Sequence, residues 1–151
     1  MNEPICILAT LDKNYIPYFN VMLSSLLDKN EGETFRVFLM NTSLTEENLA
    51  LSRKLLFGRG ELVPVKTAEN EFDGAPTSDR YPKEMYYRIF ASKYLPADVD
   101  RVLYLDPDIV VNGSVRELYD MPMWENYFAA ATHIRAFLKK FNELRLDMDD
   151  D

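Results

Sequence analysis

Val102-Leu103-Tyr104-Leu105-Asp106-Pro107-Asp108-Ile109-Val110-Val111 sets two carboxylates between two apolar runs. The flanks read as strands, and desolvating a carboxylate between them is costly. Pro107 disfavours helix for Asp106 and holds the backbone extended. Residues two apart in an extended segment point to the same side, so both carboxylates are expected to face one small volume. Like charges that close raise each other's pKa unless a cation separates them. A hard divalent ion takes oxygen ligands of this kind, and a diphosphate can complete its shell. An Asx-type turn, with either aspartate bonded to the local backbone, accounts for the same tripeptide without a metal.

Upstream, Ile5–Ala9 is a short apolar run, as expected of a strand covered on both faces. Pro17 can open a helix, along which Phe19, Met22, Leu23, Leu26 and Leu27 keep a helical stripe. Asp28–Thr34 is a polar turn, and Phe35–Met40 a second strand. Ser43-Leu44-Thr45-Glu46 has the spacing of a capping box before a helix carrying Leu49, Leu51, Leu55 and Leu56. Gly58 and Gly60 end that helix, and Glu61–Val65 is a third strand. A long connector, Lys66–Pro82, precedes a second helical stripe over Lys83–Tyr94. Arg101–Leu105, Ile109–Val111 and Phe128–Thr132 are predicted as the fourth, fifth and sixth strands. Alternating strands and helices imply a mainly parallel α/β sheet with helices on both faces, in one domain over residues 1–151. Ligands of such sheets bind beyond the carboxyl ends of the strands. Two polar clusters fall there, Thr10–Tyr15 and Asp106–Asp108.

At this point a family resemblance becomes specific. Arg101–Val111, with Tyr86-Tyr87-Arg88 upstream and Ile7–Tyr15 at the start, resembles glycosyltransferase family 8 in three motifs and in their order. The resemblance covers almost the whole chain. It implies a GT-A nucleotide-diphospho-sugar transferase fold that retains anomeric configuration and uses a UDP-hexose donor, a saccharide acceptor and Mn²⁺ (or Mg²⁺). Carried over residue by residue, it puts Thr10 along the nucleotide, Asp12 and Asn14 on the uracil edge, and Tyr15 on its face. Asp106, Pro107 and Asp108 would meet the donor, with Asp106 and Asp108 as metal ligands, and Arg88 would contact the sugar or diphosphate. A polar loop with Asn14 capping the next helix, and an Arg88 surface ion pair, are the structural alternatives. Many members have a carboxylate near the donor sugar or acceptor where this chain has His133, its only histidine. His133 is therefore either a substrate contact or structural. Members also carry roughly as much chain again, so the donor-binding half alone is expected here, apparently truncated, and the catalytic residues are not assigned.

The 151 residues carry a formal charge of −8, which argues against nucleic acid or an anionic membrane surface as a general partner. Cys6, the single cysteine, cannot form an internal disulfide, which suits a reducing compartment. Met1–Pro4 lacks a basic n-region, and no segment approaches the ~20 apolar residues of a membrane span. The expectation is a cytoplasmic protein, with peripheral membrane association left to a further C-terminal part. A nucleotidyltransferase would show a Gly-rich phosphate loop after the first strand, and Ala9–Tyr15 has no glycine. A phospho-receiver domain would need paired acids there, and only Asp12 is present. A truncated, non-catalytic UDP- and metal-binding module is the remaining alternative.

Overall fold

The apolar run at the N-terminus forms the interior strand β1, Ile5–Thr10, which has a neighbour on each side. The computed structural model describes residues 3–67 and 87–130. In it β2 spans Phe35–Asn41, β3 Gly60–Lys66 and β4 Leu103–Tyr104. The strand order is β3-β2-β1-β4, and all three pairings are parallel. Ile5 lies beside Phe35, Phe35 beside Gly60, and Ile7 beside Leu103. Parallel neighbours need crossovers, and helices supply two of them. These are α1, Ile16–Lys29, between β1 and β2, and α2, Glu46–Leu56, between β2 and β3.

Alternation along the strands divides the core in two. Ile5, Ile7, Ala9, Phe35, Val37 and Leu39 are buried with Phe19, Met22, Leu23 and Leu26 of α1 and Leu49 and Leu56 of α2. Leu8, Phe38 and Met40 are buried with Tyr87 and Ala91. Tyr87 precedes a 3-10 turn, Arg88–Phe90, that runs into the one-turn helix α3, Ala91–Tyr94. The sheet is thus covered on both faces, as the unbroken apolar runs require. Burying each large apolar side chain stabilises the fold by about 1.5–3 kcal/mol relative to leaving it exposed.

Several expectations need correction. The N-cap of α2 is Thr45, not Ser43: its hydroxyl accepts from the Asn48 amide, and the Asn48 side chain answers the Thr45 N–H. Leu44 is still in the preceding turn, its N–H donating to Asn41 Oδ1 at 3.0 Å. Leu51 faces solvent. Around α3 the buried side chains are Tyr87 and Ala91, four apart, and Ile89 and Phe90 are exposed. The fourth strand is two residues long, extended only by Leu105 N–H to the Leu8 carbonyl at 3.0 Å.

Ile109–Val111 forms no strand. Val111 N–H donates to Ser25 Oγ of α1 at 2.9 Å, and farther on Val115 N–H donates to Oδ1 of Asn30, the residue after α1, at 2.8 Å. A short helix, α4, follows at Arg116–Tyr119. Arg101 donates to the Tyr119 carbonyl at 2.7 Å.

The chain divides into two compact units, residues 1–120 and 121–151. In the second, residues 121–130 are described. They hold no strand, a turn closed by Asn126 N–H to the Met123 carbonyl, and Trp124 at a φ of 46°. The remainder of the predicted sixth strand, and Lys83–Tyr86 of the predicted helix, lie outside the described residues. No described helix is long and apolar enough to cross a membrane.

Candidate functional site

The carboxyl end of β1 delivers Thr10, buried, and then a polar turn. Asp12 is the N-cap of a 3-10 turn, Lys13–Tyr15, that leads directly into α1. Its carboxylate accepts from Asn14 N–H at 2.7 Å and Tyr15 N–H at 3.3 Å. The Asn14 side-chain amide also donates to it, at 3.2 Å. Asp12, then, does the capping considered for Asn14, and the two side chains are locked together. Tyr15 is 43% exposed, and its ring stands 5.7 Å from that of Tyr18, tilted by 49°.

At the end of β4, Asp106 and Asp108 are exposed and flank a buried Pro107. Pro107 and Asp108 lie in a turn rather than in extended chain, so strand alternation does not fix where the two carboxylates point. Tyr104 of β4 is half-buried, and its hydroxyl is 3.2 Å from Thr10 Oγ1. Arg88, exposed, sets its guanidinium carbon 5.4 Å from the Tyr104 ring centroid, a cation-π distance. Burial pushes the Tyr104 phenol above its usual pKa; the bond to Thr10 pulls it down, and the nearby Asp106 carboxylate raises it again.

These contacts bring together groups far apart in sequence. Thr10 and Arg88 both meet Tyr104. Asp108 joins Asn14, Tyr15 and Tyr18 around an open depression of about 490 Å³. Tyr104 and Tyr18 were missed from the sequence. Tyr104 stands two residues before Asp106 and Tyr18 three after Tyr15, spacings that mark a shared side of a strand and of a helix. His133 lies outside the described residues. As for a metal, Asp106 and Asp108 supply hard oxygen donors open to solvent, the chemistry a divalent ion of the Mg²⁺ or Mn²⁺ kind takes. Among the described residues no group of three or more Asp, Glu, His or Cys converges, so any further ligands would come from elsewhere.

The profile of glycosyl transferase family 8 matches residues 6–150. The chain belongs to this family. Family 8 relatives include a lipopolysaccharide 1,2-glucosyltransferase of Escherichia coli, 28% identical over 134 residues, 88% of this chain and 40% of that protein. A lipopolysaccharide 1,3-galactosyltransferase of Salmonella typhimurium is 27% identical over 121 residues, 80% of this chain and 36% of that protein. Among solved structures, the galactosyltransferase LgtC, crystallised with donor and acceptor sugar analogs, superposes with a TM-score of 0.83 at 27% identity. That match covers 97% of this chain and 53% of LgtC, so the family 8 chain has the GT-A fold and spans about half of the protein it matches.

Proposed function

We propose that this family 8 chain is the donor-binding part of a retaining glycosyltransferase that moves a hexose, glucose or galactose, from a UDP-sugar to a saccharide hydroxyl. The observation that carries this reading is the shared depression in which Asn14 and Tyr15, from the end of β1, meet Asp108, from the end of β4. In it the Tyr15 ring offers an exposed face for the uracil. The Asp12–Asn14 pair presents carboxylate and amide groups to the imide edge, rigid because each already holds the other. Asp106 and Asp108 would hold Mn²⁺ or Mg²⁺ against the diphosphate, a role their exposure and oxygen chemistry suit. The ion, when bound, neutralises charge on the leaving diphosphate. Arg88, held over Tyr104, adds a planar cation for donor oxygens, and His133 is kept as a candidate contact on the sugar or acceptor side. The named relatives support a role in lipopolysaccharide or cell-surface glycan synthesis; a cytoplasmic location with peripheral membrane association is proposed beside it.

Calorimetric titration with UDP, with and without Mn²⁺, tests this reading. Metal-dependent binding is expected, lost in Asp106→Ala and in Asp108→Ala. Unchanged binding in either variant would remove that residue from the metal site. A second reading is a module that binds UDP and metal without turnover. It is favoured by the chain's span, 40% of the Escherichia coli glucosyltransferase and 53% of LgtC. Hydrolysis of UDP-glucose or UDP-galactose in the presence of Mn²⁺ separates the two.

A further inference from the structure

We propose that Tyr18 is a specificity-determining residue of the donor site, one that sets the Tyr15 ring for uracil and excludes a purine beside it. The inference rests on the UDP-hexose reading and deepens it at the base end. Tyr18 lies in the first turn of α1, three residues after Tyr15. The two ring centroids are 5.7 Å apart and the ring planes are tilted by 49°. Both residues line the depression of about 490 Å³, together with Asn14 and with Asp108 from the end of β4.

Tyr18 does little for the core. The buried face of α1 is carried by Phe19, Asn20, Met22, Leu23 and Leu26, whereas Tyr18 is 58% exposed. A ring left so far in water gains little from burial, so its contact with Tyr15 and its place in the depression need another reason. Tyr15 supplies one. Its N–H donates to the Asp12 carboxylate at 3.3 Å, which fixes the backbone but not the side-chain torsions. The tilted contact with Tyr18 restrains the ring, and aromatic pairs prefer such inclined geometries to a face-to-face sandwich. A base then stacks on a ring already set, without the entropy cost of ordering it. The second consequence is steric. Because both rings line one depression, a base laid on Tyr15 from that side has Tyr18 as its lateral wall. Uracil is a single ring, while a purine covers more of the platform and meets that wall.

Calorimetric titration with UDP and with ADP, both in the presence of Mn²⁺, tests this. The two ligands share ribose and diphosphate, so the metal end cancels in the ratio of their affinities and the ratio reads the base. The unmodified chain should prefer UDP. Tyr18→Ala places the strongest helix former at an exposed position and should keep the fold. It should weaken UDP roughly three- to ten-fold, the worth of an aromatic pair, and weaken ADP less or tighten it. Tyr18→Phe keeps the ring and should restore both the UDP affinity and the preference. Tyr18→Leu, which keeps apolar bulk without a flat ring, should behave as Tyr18→Ala and carries the test if that variant does not fold. An unchanged preference in these two variants, or UDP and ADP weakened by the same factor, would overturn the assignment and leave Tyr18 a surface residue of the helix start. Equal affinity of the unmodified chain for UDP and ADP would overturn it as well. No binding of UDP by the unmodified chain would overturn the donor-site reading, and this inference with it.

Discussion

Asp12 has two duties that draw on the same two oxygens. As N-cap it accepts from the Asn14 and Tyr15 amides, and as a proposed base contact it keeps lone pairs for uracil. Asp12→Ala should therefore lower stability by about 1 kcal/mol, the usual value of a cap, as measured by urea denaturation. It should also weaken UDP binding. Stability reduced with unchanged UDP affinity would confine Asp12 to the cap. Gly60 shows backbone geometry setting an identity with no chemistry involved. Its φ is 155°, and a Cβ there would stand 2.0 Å from the Phe35 carbonyl oxygen. Gly60→Ala should cost about 3 kcal/mol, since backbone must move to admit the methyl, and the same denaturation experiment reads it. The sequence marks Gly60 as a helix stop, but not as a point of contact between β3 and β2.

At the scale of elements, the segment after Asp108 is held to α1 by side chains. Asn30 is buried at the end of α1; its amide donates to the Leu26 carbonyl at 2.8 Å, and its oxygen accepts from Val115 N–H. Asn30→Leu would leave a buried donor and a buried acceptor without these partners, for a loss of about 3 kcal/mol. Ser25→Ala, which removes the acceptor for Val111 N–H, should cost about 1 kcal/mol. Thermal unfolding of both variants checks the order. This also explains why the predicted fifth strand is absent. Ile109-Val110-Val111 has strand composition, yet pairing depends on a free neighbouring edge, and here Ser25 takes the Val111 N–H. β1, β2 and β3 were legible because each is an apolar run long enough to be buried on both faces. The α2 cap was misplaced because Ser43 and Thr45 both suit a cap, and only the Asn41 turn decides between them.

For the whole molecule, Arg116 ties distant parts of the first unit together. It pairs with Glu33 in the turn after α1, reaches the Glu3 carbonyl at 3.0 Å, and lies 3.4 Å from Asp120. The pair with Arg116 holds the Glu33 carboxyl below its ordinary value of 4.5. A carboxylate with a depressed folded pKa stabilises fully above its unfolded value, and the benefit is lost as pH falls through the folded one. The melting temperature of Glu33→Gln should thus fall short of the unmodified chain near neutral pH. The gap should close progressively below about 4.5. A gap independent of pH would mean that Glu33 acts through packing alone.

By itself the sequence determined the parallel α/β order, the two strand-end clusters and membership of family 8, because periodicity and motif order are carried by residues near one another in the chain. Tertiary structure decided which of those groups share a space. Thr10 meets Tyr104, Arg88 stacks on it, and Asp108 faces Tyr15 and Tyr18, because β1 and β4 are neighbours in the sheet though almost a hundred residues separate them. No local pattern encodes that adjacency. It follows from the order in which the strands pair, and that order is set by burying both faces of the sheet at once.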